Sequence, residues 1–211
     1  MSGSTSISLP LAGVIPFSAT DWPGHLTVTA FTQGCPLACP YCHNPALQTV
    51  GGGQPFESVL PLLEKRRGLI DALVISGGEP TMHAGLGEAI SAVHAAGFPV
   101  GLHTCGYRPS AMKALLESSA TTPDWVGLDV KGLPEDCQEE LGIAPRAAEG
   151  CWETLSRLQA AGVDLQVRTT VWRGSTIERH VPQLRERVQS YGVDLVVQQA
   201  RNVDATGQFR G

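Results

Sequence analysis

Ala72-Leu73-Val74-Ile75-Ser76-Gly77-Gly78-Glu79-Pro80 opens as a short apolar run rich in strand formers and breaks at two glycines and a proline. Strand-forming residues bounded by turn residues read as a buried strand of about five residues. The stretch after it, Ala84–Ala96, has helical spacing. The same unit of strand, turn and amphipathic helix recurs on both sides. Strands are expected near Leu26–Phe31, Ala72–Ser76, Phe98–His103, Trp125–Val130, Leu165–Val171 and Leu195–Gln198. Helices are expected near Phe56–Arg67, Ala84–Ala96, Ser110–Ser118, Ala147–Ala161 and Ile177–Tyr191, from apolar residues at i, i+3, i+4 spacing such as Val59, Leu62 and Leu63. Strands alternating with helices imply an α/β fold with a parallel sheet. A closed eight-unit barrel takes about 250 residues, and this chain has 211. The expected architecture is therefore an incomplete (β/α)6 TIM-like barrel. It would form one domain over residues 1–211, with a core from about 11 to 199 and a polar tail over 200–211 that is either frayed or closes over the open edge when a partner docks.

A hydrophobic fraction of 42% suits a chain with a real core, and a formal net charge of −5 disfavours non-specific nucleic-acid binding. Met1 to Leu11 lacks the basic and apolar regions of a signal peptide. No run approaches the ~20 apolar residues of a membrane span. The expected compartment is the cytoplasm, where thiols stay reduced and closely spaced cysteines serve as metal ligands or catalysts rather than disulfides.

The chemically informative residues all fall at the ends of expected strands, where parallel α/β folds place their sites. Cys35, Cys39 and Cys42 follow the first strand with C-x3-C-x2-C spacing. Three thiolates leave one iron of a four-iron cluster without a protein ligand, and an open iron can bind a small molecule. A Cys3His zinc site using His43 is the other reading that the spacing leaves open, although His43 directly follows Cys42 and simultaneous ligation would be strained. Tyr41 offers an aromatic face beside the last cysteine. Gly77 and Gly78 let backbone groups come close to a ligand, and Glu79 adds a negative acceptor. Asp129 and Lys131, two apart in a strand, share a face. They read as a site or as a surface ion pair. Arg168 is either an inward anion contact or a solvated strand residue. Cys105, Cys137 and Cys151 make no C-x2-C pair and read as buried thiols.

The cysteine run with Tyr41 before its third cysteine resembles the radical S-adenosylmethionine (SAM) superfamily. Asp21-Trp22-Pro23-Gly24, Tyr41-Cys42-His43-Asn44-Pro45 and Ser76-Gly77-Gly78-Glu79-Pro80 look like the activating enzymes of glycyl radical enzymes. Within these the chain is most similar to activating proteins of anaerobic ribonucleoside-triphosphate reductase, from about Leu11 to Gln199. The resemblance implies a [4Fe–4S] cluster on Cys35, Cys39 and Cys42, with SAM on the open iron. Gly77, Gly78 and Glu79 would receive the methionyl amine, Asp129 and Lys131 the ribose hydroxyls and the carboxylate, Tyr41 the adenine or the cluster rim, and Arg168 an anionic group. A low-potential donor such as flavodoxin or ferredoxin would supply one electron. SAM would then split to methionine and a 5′-deoxyadenosyl radical, which would take hydrogen from a glycine Cα of a partner enzyme. His103-Thr104-Cys105-Gly106 departs from the Asp-Thr-Asn-Gly of better-known relatives, which puts any monovalent-cation site in doubt. The alternatives are a radical SAM enzyme acting on a small molecule or another peptide, and a non-enzymatic zinc-binding module.

Overall fold

The computed structural model describes residues 6–211. The expectations for Met1 to Thr5, part of the opening segment, lie outside them. Seven strands form one sheet in chain order: β1 (Leu11–Ser18), β2 (Thr27–Thr32), β3 (Ala72–Gly77), β4 (Val100–Thr104), β5 (Trp125–Asp129), β6 (Asp164–Val171) and β7 (Leu195–Gln199). The six strands β2 to β7 are parallel, and β1 pairs antiparallel with β2. Among the described residues β7 has no pairing to β1, so the sheet stays open. This is the incomplete barrel with six parallel strands that the repeat implies. No described helix is long and apolar enough to cross a membrane.

The helices are α1 (Val59–Lys65), α2 (Leu86–Ala95), α3 (Pro109–Leu115), α4 (Pro134–Leu141), α5 (Pro145–Ala161), α6 (Thr176–Arg179) and α7 (Val181–Gln189). In α5 the buried residues Ala148, Cys151, Trp152, Leu155 and Leu158 repeat at three- and four-residue spacing, and Gly162 ends the helix in the left-handed region with φ 68°. The single helix expected over Ile177–Tyr191 is two. Pro182 lacks an N–H and its ring crowds the carbonyl four residues back, so the chain breaks at His180. Two elements have no counterpart in the sequence reading. The edge strand β1 carries Gly13 and Pro16, which an edge tolerates because its outer side needs no ladder donor. The helix α4 is short and acidic, so its apolar periodicity is faint.

In β3, Ala72, Leu73, Val74 and Ile75 are all fully buried, as a parallel strand covered on both faces requires. Leu73 and Ile75 pack into the main core against the helices, while Ala72 and Val74 join Trp22 and Trp125 in a separate cluster on the inner face. The two indoles stack with centroids 5.5 Å apart and plug the lower interior. Gly101 lies against them, and a Cβ there would sit 2.8 Å from Trp22.

Candidate active site

The loop after β2 carries the three cysteines and is closed by its own backbone. Gly34 N donates to the Leu47 carbonyl at 2.7 Å, Cys35 N to Gln48 at 3.3 Å and Cys42 N to Cys39 at 3.1 Å. The Gln33 side chain ties the far end down, donating to the Ala46 and Thr49 carbonyls. Cys35, Cys39 and Cys42 are free thiols, each half-buried. All three line one cavity of about 160 Å³ together with Ser76, Gly77, Gly78, Glu79, Asp129 and Lys131. Burial pushes the Cys35 thiol up to about 11.

This donor set fits a [4Fe–4S] cluster, in which each thiolate takes its own iron. Among the described residues no three His, Cys, Asp or Glu side chains gather at the spacing of one metal ion. His43, the fourth ligand of the zinc reading, is turned away from the cavity. Its Nε2 lies 3.1 Å from the Arg201 carbonyl oxygen and its ring 5.2 Å from that of Phe209.

The glycines at the end of β3 serve the protein's own backbone. A Cβ on Gly78 would lie 1.9 Å from the Gly34 carbonyl oxygen, and one on Gly77 2.2 Å from Thr32 N. Gly77 also has φ 116°, a region open to glycine alone. Gly78 N donates to Thr32 and Glu79 N to Gly34, so the cysteine loop and the β3 turn are fused. Glu79 is 1% exposed. Its Oε1 accepts from Thr81 N at 3.0 Å, Thr81 Oγ1 at 2.6 Å and Thr104 Oγ1 at 2.6 Å, and its Oε2 accepts from Cys105 N at 2.8 Å. The carboxylate clasps the ends of β3 and β4. Only Oε2 keeps room for a further donor.

On the opposite wall, Asp129 Oδ1 accepts from Arg168 Nε at 2.9 Å, and Oδ2 lies 3.8 Å from Lys131 Nζ. Burial pushes the Asp129 carboxyl up, but Arg168 and then Lys131 outweigh it and leave the group below the usual carboxylate range. Arg168 is 9% exposed and faces the interior, which settles its orientation. Lys131 Nζ lies 5.7 Å from the Tyr41 ring centroid, and Tyr41 packs against Trp172 at 5.8 Å. The Tyr41 hydroxyl is buried with no hydrogen-bond partner. His103 sits one layer lower. Nε2 donates to the Asp21 carbonyl at 2.7 Å, which leaves Nδ1 to accept from Ser76 Oγ at 3.2 Å. Burial, and then the Arg168 guanidinium, push His103 down to about 4. The ring is a neutral brace.

Cys105, Cys137 and Cys151 are buried, and burial raises all three thiols. A second groove, of about 540 Å³, shares Tyr41 and Cys42 with the first and continues along Thr170, Gln198 and Gln199. The tail over 200–211 follows the edge strand β7. It forms a small hairpin with a Val203–Phe209 bridge, and Phe209 N donates to the Pro40 carbonyl of the cysteine loop at 2.9 Å. The clasp of Thr81, Thr104 and Cys105 N around Glu79 and this hairpin were not read from sequence. Polar residues at the end of β4 were the available signal for the clasp, whereas the hairpin lacks periodicity.

The superfamily model described as radical SAM matches residues 29–185. Over 135 residues the chain is 30% identical to a protein of Methanocaldococcus jannaschii assigned as a glycyl-radical enzyme activating enzyme, covering 57% of this chain and 50% of that one. Over 158 residues it is 28% identical to the pyruvate formate-lyase-activating enzyme of Clostridium pasteurianum, covering 72% and 63%. The chain thus spans half of the first relative's length and under two thirds of the second's. Its fold matches SuiB of Streptococcus suis, solved with the precursor peptide SuiA, with a TM-score of 0.64 at 16% identity over 84% of this chain and 40% of that one. At that identity the likeness shows fold alone. With a matched span of more than half its length and relatives among the activating enzymes of glycyl radical enzymes, the chain belongs to the radical SAM superfamily.

Proposed function

We propose that the protein is a radical SAM activase that installs a glycyl radical on a partner enzyme, with anaerobic ribonucleoside-triphosphate reductase as the candidate partner. The observation that carries this reading is the convergence of Cys35, Cys39 and Cys42 with Gly77, Gly78, Glu79, Asp129 and Lys131 around one cavity. Cys35, Cys39 and Cys42 would hold a [4Fe–4S] cluster. When bound, the cluster and SAM supply one-electron cleavage of a sulfonium and a hydrogen-abstracting radical.

The chain's own residues divide the cofactor by chemistry. Lys131 Nζ presents a cation to a carboxylate, and Asp129 offers acceptors to hydroxyls. The Gly77 and Gly78 backbone lies where an ammonium group can be received. In the second groove Gln198 and Gln199 carry neutral amides, and Tyr41 shares its wall; this suits a nucleobase. The two grooves meet at Cys42, so a ligand spanning both would cross the cysteine loop. The open side of the sheet supports a protein segment as substrate. Ile15 on β1 and Val196 on β7 are 46% and 39% exposed, and among the described residues no strand pairs β7 with β1.

The test is anaerobic reconstitution with iron and sulfide, then incubation with SAM, a reductant and candidate partners. A 5′-deoxyadenosine product together with a glycyl radical signal in electron paramagnetic resonance is expected. 5′-Deoxyadenosine without a protein radical on any candidate would favour a small-molecule substrate. A colourless protein that takes up one zinc per chain would end the cluster reading.

A further inference from the structure

A third groove, of about 1250 Å³, lies on the outer face between α3, α5 and α7. The chain carries a net charge of −5, yet this groove collects five cations, Arg108, Lys113, Arg146, Arg157 and Arg187, against the two carboxylates Glu149 and Glu153. Both carboxylates are used. Arg157 pairs with Glu153 at 2.6 Å and Arg187 with Glu149 at 3.5 Å. Among the described residues Arg108, Lys113 and Arg146 have no carboxylate within 4.0 Å, and all three are exposed. The floor is rigid. Trp152 is buried, with the Arg187 guanidinium 4.0 Å above its ring and Tyr191 stacked at 6.3 Å.

The groove is joined to the cysteine cavity by a short, fixed link. Cys105 lines the cavity, while Tyr107 and Arg108 line the groove. Between them, Thr154 Oγ1 on α5 donates to the Gly106 carbonyl at 2.7 Å. A Cβ on Gly150 would lie 2.8 Å from the Tyr107 carbonyl oxygen, so α5 packs directly on the link. Arg108 Nη1 donates to the Met82 carbonyl at 3.1 Å, just beyond the β3 turn.

We propose that this groove docks an acidic redox protein that delivers the single electron the site consumes. The inference rests on the activase reading, which requires a one-electron donor from outside. The donor loses one electron and the centre held by Cys35, Cys39 and Cys42 gains it; no proton or group is transferred. A local cationic groove on an otherwise acidic protein steers an acidic partner to one face and repels it elsewhere. The three cations without a carboxylate partner and the overall negative charge favour an acidic protein over a nucleic acid, whose binding scales with many phosphate contacts.

The test uses cluster-loaded protein with two acidic probes, reduced flavodoxin and a reduced [2Fe–2S] ferredoxin, and with dithionite as a chemical reductant. The charge-reversed variant Lys113→Glu/Arg146→Glu is compared with the wild type. At least one probe is expected to support 5′-deoxyadenosine formation by the wild type. The variant should lose at least tenfold in that rate while its dithionite-driven rate stays within twofold. In titration calorimetry the oxidised probe should bind the variant at least tenfold more weakly, and wild-type binding should weaken as salt rises. Equal probe-driven rates in variant and wild type would overturn the proposal, as would failure of both probes to reduce or bind the wild type. A variant that keeps the probe-driven rate but loses glycyl radical formation assigns the groove to the radical-accepting enzyme and also overturns it. Tighter binding of an RNA oligonucleotide than of either probe would do the same. Absence of 5′-deoxyadenosine from the wild type with dithionite would instead sink the activase reading, and this inference with it.

Discussion

Glu79 is where the site and the fold are most tightly coupled, and removing its carboxylate measures that coupling. Four donors converge on it, two of them the backbone N–H groups of Thr81 and Cys105. Thr81, Thr104 and Cys105 are 1%, 3% and 8% exposed, so the donors that lose their acceptor are buried. The threonine hydroxyls can rotate to other acceptors, but the two amides cannot. A buried amide left without a partner costs about 1–3 kcal/mol. Two of them make Glu79→Ala destabilising by roughly 2–6 kcal/mol before any cavity term. At about 2–4 °C per kcal/mol for a chain of this size, Tm should fall on the order of 10 °C. Glu79→Gln keeps one oxygen for the three donors at Oε1 but turns an NH2 towards Cys105 N, so it should lose about 1–3 kcal/mol. The assay is urea and thermal unfolding of cluster-free protein followed by tryptophan fluorescence. If both variants unfold with the wild type, Glu79 is not a clasp and its burial has another cause. If Glu79→Gln is as damaging as Glu79→Ala, the number of accepted bonds is not what matters.

Gly78→Ala forces a Cβ to within 1.9 Å of the Gly34 carbonyl; it should destabilise the fold by more than about 2 kcal/mol and reduce iron uptake per chain, read by iron assay and visible absorption. Asp129→Ala leaves Arg168 buried without its carboxylate and should cost about 3 kcal/mol in urea unfolding, whereas Asp129→Ala/Arg168→Met should recover most of that loss. His103 is held neutral, with its pKa lowered from 6.5 to about 4. Its contribution is complete above pH ~6.5 and is lost as pH falls towards 4, because the unfolded chain takes the proton first. The wild type should therefore lose up to about 3 kcal/mol more than His103→Gln over that window, and parallel pH curves for the two would refute the brace. Deleting residues 203–211 removes the Phe209–Pro40 hydrogen bond, so hydrogen exchange in the cysteine loop should quicken while β3 amides stay protected.

Much of the fold was legible along the chain. Each of the six parallel strands lies within two residues of its expected ends, and β3, buried on both faces, is written as an unbroken apolar run from Ala72 to Ile75. The edge strand β1 was not, since Gly13 and Pro16 interrupt a pattern that only its pairing with β2 completes. The break at His180 was hidden because apolar spacing continues across Pro182, although the backbone hydrogen bonding cannot. In the site, the identity of the cysteines and the strand-end placement of Glu79, Asp129 and Lys131 came from spacing alone.

Sequence by itself determined the repeat and the three thiols, because each is encoded in neighbouring residues. Tertiary structure decided what those residues face. Arg168 turned from a solvated possibility into the inward partner of Asp129, and His43 turned from a candidate ligand into a contact of the tail. Gly77 and Gly78 proved to be required by contact with Thr32 and Gly34, more than 40 positions away in the chain. Local patterns fix period and exposure. Which distant backbone comes within a Cβ's radius, and which charge balances which, is fixed only when the strands are placed side by side.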